Sequence, residues 1–157
     1  MSFEISEAAP GDEHAIFSLI RELAEYEKLS HEVRATPELL RKYLFEEQRC
    51  SALVARAAGR IVGYALFFYS FSTFLARPGI YLEDLFVQPA HRKQGIATAL
   101  VRELARRAVE ESCGRLEWSV LDWNAPSIAF YEKLGATMMS EWKIMRVSAG
   151  ELKAMAS

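Results

Sequence analysis

Apolar residues first recur at helical spacing over residues 10–29, where Ile16, Leu19, Ile20, Leu23 and Ala24 mark one face of an amphipathic helix. A short alternation at residues 3–6 precedes it and predicts a first strand. Thr36 followed by Pro37 reads as an N-cap and a first-turn proline, opening a second helix over residues 36–46. Two apolar runs, Ser51–Ala57 and residues 60–70, flank Ala58-Gly59 and predict a hairpin. After the turn Arg77-Pro78-Gly79 comes another strand, residues 80–87. Ile96, Leu100, Val101, Leu104 and Ala108 then predict a long helix over residues 95–111. A strand at 116–121, a helix at 125–134, a last strand at 143–147 and a short helix from Gly150 complete the chain. Antiparallel strands followed by strand–helix–strand units predict an α/β fold, with a mixed sheet and helices on both faces.

Composition narrows this picture. The 157 residues, 51% apolar and 25% charged, fit one domain over residues 1–157 with no repeat, linker or low-complexity tract. A net charge of −2 gives no bulk electrostatic case for nucleic acid or a membrane surface. Residues 1–40 nevertheless hold nine acids against three bases, which suits a cation on one side of the molecule and an anion on the other. Cys50 and Cys113 form no C-x-x-C pair, and the three histidines offer no metal-ligand spacing, so no metal is expected. The N-terminal residues lack a basic stretch followed by an apolar one, and no apolar run approaches the ~20 residues that cross a bilayer. A reduced, cytoplasmic protein is the expectation.

Two places carry candidate chemistry. In the strand 80–87, Ile-Tyr-Leu-Glu-Asp-Leu-Phe-Val, the carboxylates Glu83 and Asp84 stand together in an apolar run, where ionised side chains are costly. In a regular strand they would point to opposite faces, and a β-bulge would change that. Beyond Val87, Arg92-Lys93-Gln94-Gly95-Ile96-Ala97 enters the long helix. Such a turn leaves backbone N–H groups unpaired at the positive end of the helix dipole, an arrangement that holds phosphate. Read without further help, it is equally a solvated basic turn. It matches neither G-x-x-x-x-G-K-[ST] nor G-x-G-x-x-G.

The same six residues fit [QR]-x-x-G-x-[GA], the signature of the GNAT acetyltransferases, and the chain resembles that family from about residue 3 to residue 155. Glu22 to Glu27, Tyr81 to Asp84, Leu121 to Asn124, Pro126 to Ile128 and Phe130-Tyr131 resemble its diamine branch, which acetylates spermidine, spermine and thialysine. The resemblance implies a single GNAT-type domain whose sheet of about six to seven strands is splayed into a central cleft between strands 80–87 and 116–121. It implies acetyl-CoA as co-substrate. Leu85, Phe86 and Val87 would bond its pantetheine arm, and the N–H groups from Lys93 through Gln94, Gly95, Ile96 and Ala97 to Thr98 would receive its pyrophosphate. Arg92 and Lys93 would add charge at the mouth, and Asn124, Pro126 and Ser127 would contact the cofactor from the other side. The last three are equally the start of a helix.

Tyr131 matches the general acid that protonates the departing thiolate, and Glu83 the carboxylate that takes the amine's proton through an ordered water. Tyr26, Glu27, Asp84 and Glu141 match positions that contact the cationic substrate. The chain departs from the pattern at Lys93, where relatives often have glycine, and an ordinary φ there would preserve the loop. It departs again at Thr73 and Leu75, where polyamine enzymes have an acid and a tryptophan, so weaker selection of long polyamines is expected. The resemblance implies N-acetylation of a small diamine, polyamine or lysine analogue by direct attack in a ternary complex, carried out by a homodimer. Acetylation of a protein N-terminus or lysine, and a non-catalytic acetyl-CoA-binding module, are the alternatives.

Overall fold

The computed structural model describes residues 2–157, which divide into two compact units, one ending at Ser119 and the other Val120–Ser157. The first unit is an α/β layer structure. Strands β1 (Glu4–Glu7), β2 (Ser51–Ala57), β3 (Arg60–Ser72), β4 (Arg77–Val87) and β5 (Leu116–Trp118) lie side by side in chain order. The first three pairings are antiparallel, and β5 joins β4 in parallel.

Period-two alternation gives this sheet two apolar faces. Leu53 and Ala55 of β2, Ala65 and Phe67 of β3, and Ile80 and Leu82 of β4 face helix α3 (Ile96–Glu110). That helix answers with Ile96, Leu100, Leu104 and Ala108, at the spacing that keeps them on one side. Ala52, Val54, Tyr64, Leu66 and Phe86 point the other way, against Ile16 and Leu19 of helix α1 (Glu13–Tyr26) and Leu44. Thr36 caps helix α2 (Pro37–Arg41) as the sequence predicts, its Oγ1 accepting from the Leu39 N–H at 3.1 Å with Pro37 in the first turn. The predicted continuation to Glu46 is a π-helical turn, Lys42–Glu46, that buries Leu44.

In the second unit, helix α4 (Ala125–Lys133) starts at Asn124, whose side chain accepts from the Ser127 N–H at 3.4 Å, with Pro126 in the first turn. Helix α5 (Ala149–Ala156) ends the chain.

The sheet has five strands, fewer than the six to seven expected. The predicted strand 143–147 pairs with nothing among the described residues. Ile144 and Met145 are adjacent and both exposed, so the segment offers no single apolar face for period two to bury. The predicted strand 116–121 stops at Trp118, because its partner β4 leaves the ladder there. Pairing ends at Leu82 with Trp118, and β4 runs on to Val87 without a parallel neighbour.

Candidate active site

That divergence begins at one residue. Leu66 of β3 stands opposite Asp84 and Phe67 opposite Leu82, so Glu83 is the extra residue of a β-bulge. It pairs with neither neighbouring strand. The bulge resets the alternation. Leu82 and Leu85, three apart, both pack on the α3 side, while Asp84 and Phe86 face the α1 side. The charge of Glu83 is felt by Cys50 and Tyr64, which lie on the α1 side too. A regular strand would have sent the two carboxylates to opposite faces; the bulge brings them to one.

Glu27, just past the end of α1, joins them. Burial, then the nearby charge of Asp84, pushes its carboxyl above the usual range. Burial does the same to Asp84, and the hydrogen bond it accepts from the Tyr64 hydroxyl at 2.9 Å pulls partly the other way. Burial and the Asp84 charge hold the Tyr64 phenol well above its ordinary value, so it is a neutral donor. Three carboxylates converging on one side of the sheet make a site of negative potential.

The loop after β4 reads differently from its sequence in two respects. Arg92 is exposed but tied back onto the protein. Its Nε donates to the Val87 carbonyl at 3.0 Å, and its guanidinium lies over the rings of Tyr26 and Phe86, 5.5 and 5.6 Å from their centroids. It therefore ties the end of α1 to the end of β4. Lys93 does not adopt an ordinary φ: it is left-handed at φ +63°, a conformation that glycine adopts at no steric cost. Gly95, at φ +85°, caps α3. The first intrahelical bond runs from the Ala99 N–H to the Gly95 carbonyl at 2.9 Å, which leaves the N–H groups of Ile96, Ala97 and Thr98 without helical acceptors. Gln88 anchors the loop's base, its side-chain amide donating to Glu22 at 3.0 Å.

The first unit thus brings together Tyr26, Glu27, Glu83 and Asp84 with the loop 92–98 and the open edge Leu85, Phe86 and Val87. Asn124, Pro126, Ser127 and Tyr131 lie within the first two turns of α4 in the second unit. There Tyr131 stacks at a tilt on Phe130, with ring centroids 5.4 Å apart. Glu141 lies in the irregular segment between α4 and α5. Tyr64 went unread from sequence. Its only signal was a hydroxyl inside an otherwise apolar strand, a group that needs a partner when buried. The loop's orphan N–H groups and the β4 edge suit a long ligand with a phosphate end and an amide arm that can pair like a strand.

Comparison with known proteins agrees with this geometry. Residues 14–136 match the model of the acetyltransferase (GNAT) family. The thialysine N-epsilon-acetyltransferase of Bos taurus is 39% identical over 164 residues, covering 97% of this chain and 96% of that one. The L-ornithine N5-acetyltransferase of Arabidopsis thaliana is 39% identical over 95 residues, 60% of this chain and 42% of its own. Among solved structures, an integron cassette protein from the mobile metagenome of V. cholerae superposes with a TM-score of 0.82 at 25% identity, over 99% of this chain and 98% of its own. The chain belongs to the GNAT acetyltransferase family. It is an enzyme of the acyltransferase class, and acetyl-CoA is its co-substrate.

Proposed function

We propose that this enzyme moves the acetyl group of acetyl-CoA to a primary amine of a small substrate that carries a second positive charge, a lysine analogue or short diamine. The observation that carries the reading is the convergence of Glu27, Glu83 and Asp84 on one side of the sheet beside the open edge of β4. Relatives named for thialysine and ornithine, amino acids with a side-chain amine, support the same substrate class. Thr73 and Leu75, both exposed at the tip of the β3–β4 hairpin, supply no carboxylate for a long polyamine.

Chemically, the amine must lose a proton and the thiolate must gain one. An alkylammonium of pKa ~10.4 is protonated at neutral pH, so a proton acceptor is required. Glu83, freed from both ladders by the bulge, is assigned that role through water. The amine nitrogen attacks the thioester carbonyl carbon, the N–C bond forms as the C–S bond breaks, the Tyr131 hydroxyl protonates the departing sulfur, and the nitrogen's remaining surplus proton leaves through water to restore Tyr131. Leu85, Phe86 and Val87 would pair with the pantetheine arm. The N–H groups of the turn from Lys93 through Gln94 and Gly95 to Ile96, Ala97 and Thr98 would hold the pyrophosphate, with Asn124, Pro126 and Ser127 of α4 as further cofactor contacts. Arg92 would act indirectly, by fixing the Val87 carbonyl and the Tyr26 ring. Tyr26 and Glu141 complete the proposed substrate contacts.

Residues 1–157 are proposed to work as one domain, which the family match across both units supports. The enzyme is proposed to be a homodimer. Trp142, Ile144 and Met145 expose 77%, 70% and 92% of their surface, apolar area that a second copy would cover. Free thiols at Cys50 and Cys113 fit the reducing cytoplasm proposed as its location.

The test is release of CoA thiol from acetyl-CoA with a panel of monoamines, diamines, lysine analogues and lysine peptides. Turnover with diamines or lysine analogues is expected, and Tyr131→Phe should lower kcat about 10²-fold with cofactor affinity little changed. Turnover with peptides alone would overturn the substrate claim, and an unchanged rate would remove Tyr131 as the acid.

A further inference from the structure

Tyr64 stands in the middle of β3 with none of its surface exposed. A phenylalanine there, and a leucine at Asp84, would fill the same space without desolvating a carboxylate. Instead the Tyr64 hydroxyl donates to Asp84 Oδ2 at 2.9 Å. That bond occupies one oxygen of Asp84 and removes the carboxylate's freedom to rotate. The register on either side of the bulge sets the pair: Tyr64 faces the α1 side two residues before Leu66, and Leu66 stands opposite Asp84. Glu27 comes to the same place from the end of α1, and its carboxyl responds to the Asp84 charge. Glu83 stands in the bulge next to Asp84, and its charge is felt by Tyr64 and Cys50.

We propose that Tyr64 is a positioning residue and a determinant of substrate charge: it holds Asp84 so that Oδ1, with Glu27, receives the ammonium group that the substrate keeps after transfer. Glu83 is left to serve the amine that reacts. This division rests on the amine-acetyltransferase reading of the site. It makes Tyr64 responsible for preferring a doubly charged substrate over a monoamine of equal length, and it gives the hydroxyl no part in cofactor binding.

Tyr64→Phe keeps the buried ring and removes only the hydroxyl. The ratio of kcat/KM for 1,4-diaminobutane to that for butylamine should fall roughly tenfold, the scale of a hydrogen bond to a charged group. The fall should lie in KM of the diamine, with KM of acetyl-CoA and the butylamine rate unchanged. Tyr69→Phe removes a comparable hydroxyl on the same strand, bonded to Glu111 at 2.6 Å outside the site, and should leave the ratio alone. Asp84→Asn keeps an acceptor for Tyr64 but loses the charge, so the double variant should lose little beyond Asp84→Asn alone.

Calorimetry of the two amines binding to the CoA-loaded protein reads the same preference without turnover. Absence of turnover in the parent protein would sink the proposed activity, whereas the calorimetric preference and its loss in Tyr64→Phe would still decide the role of Tyr64. Equal diamine preference in the parent and Tyr64→Phe, no preference in the parent, or a matching rise in KM of acetyl-CoA would each overturn it.

Discussion

Lys93 holds a left-handed backbone, φ +63°, in the turn that delivers the unpaired N–H groups of α3. For a residue with a Cβ that conformation costs about 1 kcal/mol, whereas glycine adopts it freely. Lys93→Gly is therefore expected to unfold at a denaturant midpoint no lower than the parent's, gaining up to about 1 kcal/mol. Its acetyl-CoA affinity should drop modestly, and the drop should shrink as salt is raised, because only a surface charge has gone. A fall in stability would mean that the lysine side chain supports the loop. The signature residues around it are legible in the sequence, since glycine and small residues at fixed spacing announce a phosphate turn. The backbone angle of Lys93 is not, because the order of residues says where a turn lies more readily than which conformer it takes. Arg92 shows the same limit: a basic residue in a basic turn reads as surface charge, and only the fold reveals the two rings and the carbonyl that claim it. Glu83 and Asp84 are conspicuous in sequence, but their shared face depends on one unpaired residue in a register that sequence does not contain.

Elements were legible where apolar spacing was long and regular. Helices α1 and α3 and the strands of the β2–β3–β4 meander follow from it, since their apolar residues become the two faces of the core. The segment 143–147 is apolar enough to predict a strand, but its adjacent Ile144 and Met145 share no face, and among the described residues no strand pairs with it. Buried charge at the start of α1 was also invisible. Glu13 is nearly enclosed, and its Oε1 accepts from the Gly11 N–H at 2.7 Å while Oε2 meets Arg41 at 3.4 Å. Burial alone would raise its carboxyl. The backbone N–H groups of Glu13 and Gly11, then Arg41, outweigh it and hold it below the usual 4.5. A lowered folded-state pKa stabilises the fold above the unfolded value, and the contribution is lost as pH falls through the folded one. Stability of the parent should thus decline below about pH 4.5. Glu13→Gln should lose about 1–3 kcal/mol at pH 7 and show a shallower acid decline. Denaturant midpoints of both proteins from pH 3 to 7 measure this, and parallel curves would exclude Glu13 as a source of the slope.

For the molecule as a whole, the family match runs from residue 14 to 136 and crosses from the first compact unit into the second. If both units serve one reaction on one co-substrate, they should also unfold together. The chain offers separate reporters. Far-ultraviolet circular dichroism follows chiefly the sheet and long helices of the first unit. Of the three tryptophans, Trp123 and Trp142 belong to the second, and Trp118 to β5. A single cooperative domain predicts coincident midpoints for dichroism and tryptophan fluorescence in urea. Acetyl-CoA at about 100 times its Kd should then move both midpoints together, by the equivalent of about 2.7 kcal/mol. A fluorescence transition that precedes the dichroic one and ignores acetyl-CoA would show the second unit to be an independent body, and would remove Asn124, Pro126, Ser127 and Tyr131 from the proposed cofactor contacts and chemistry.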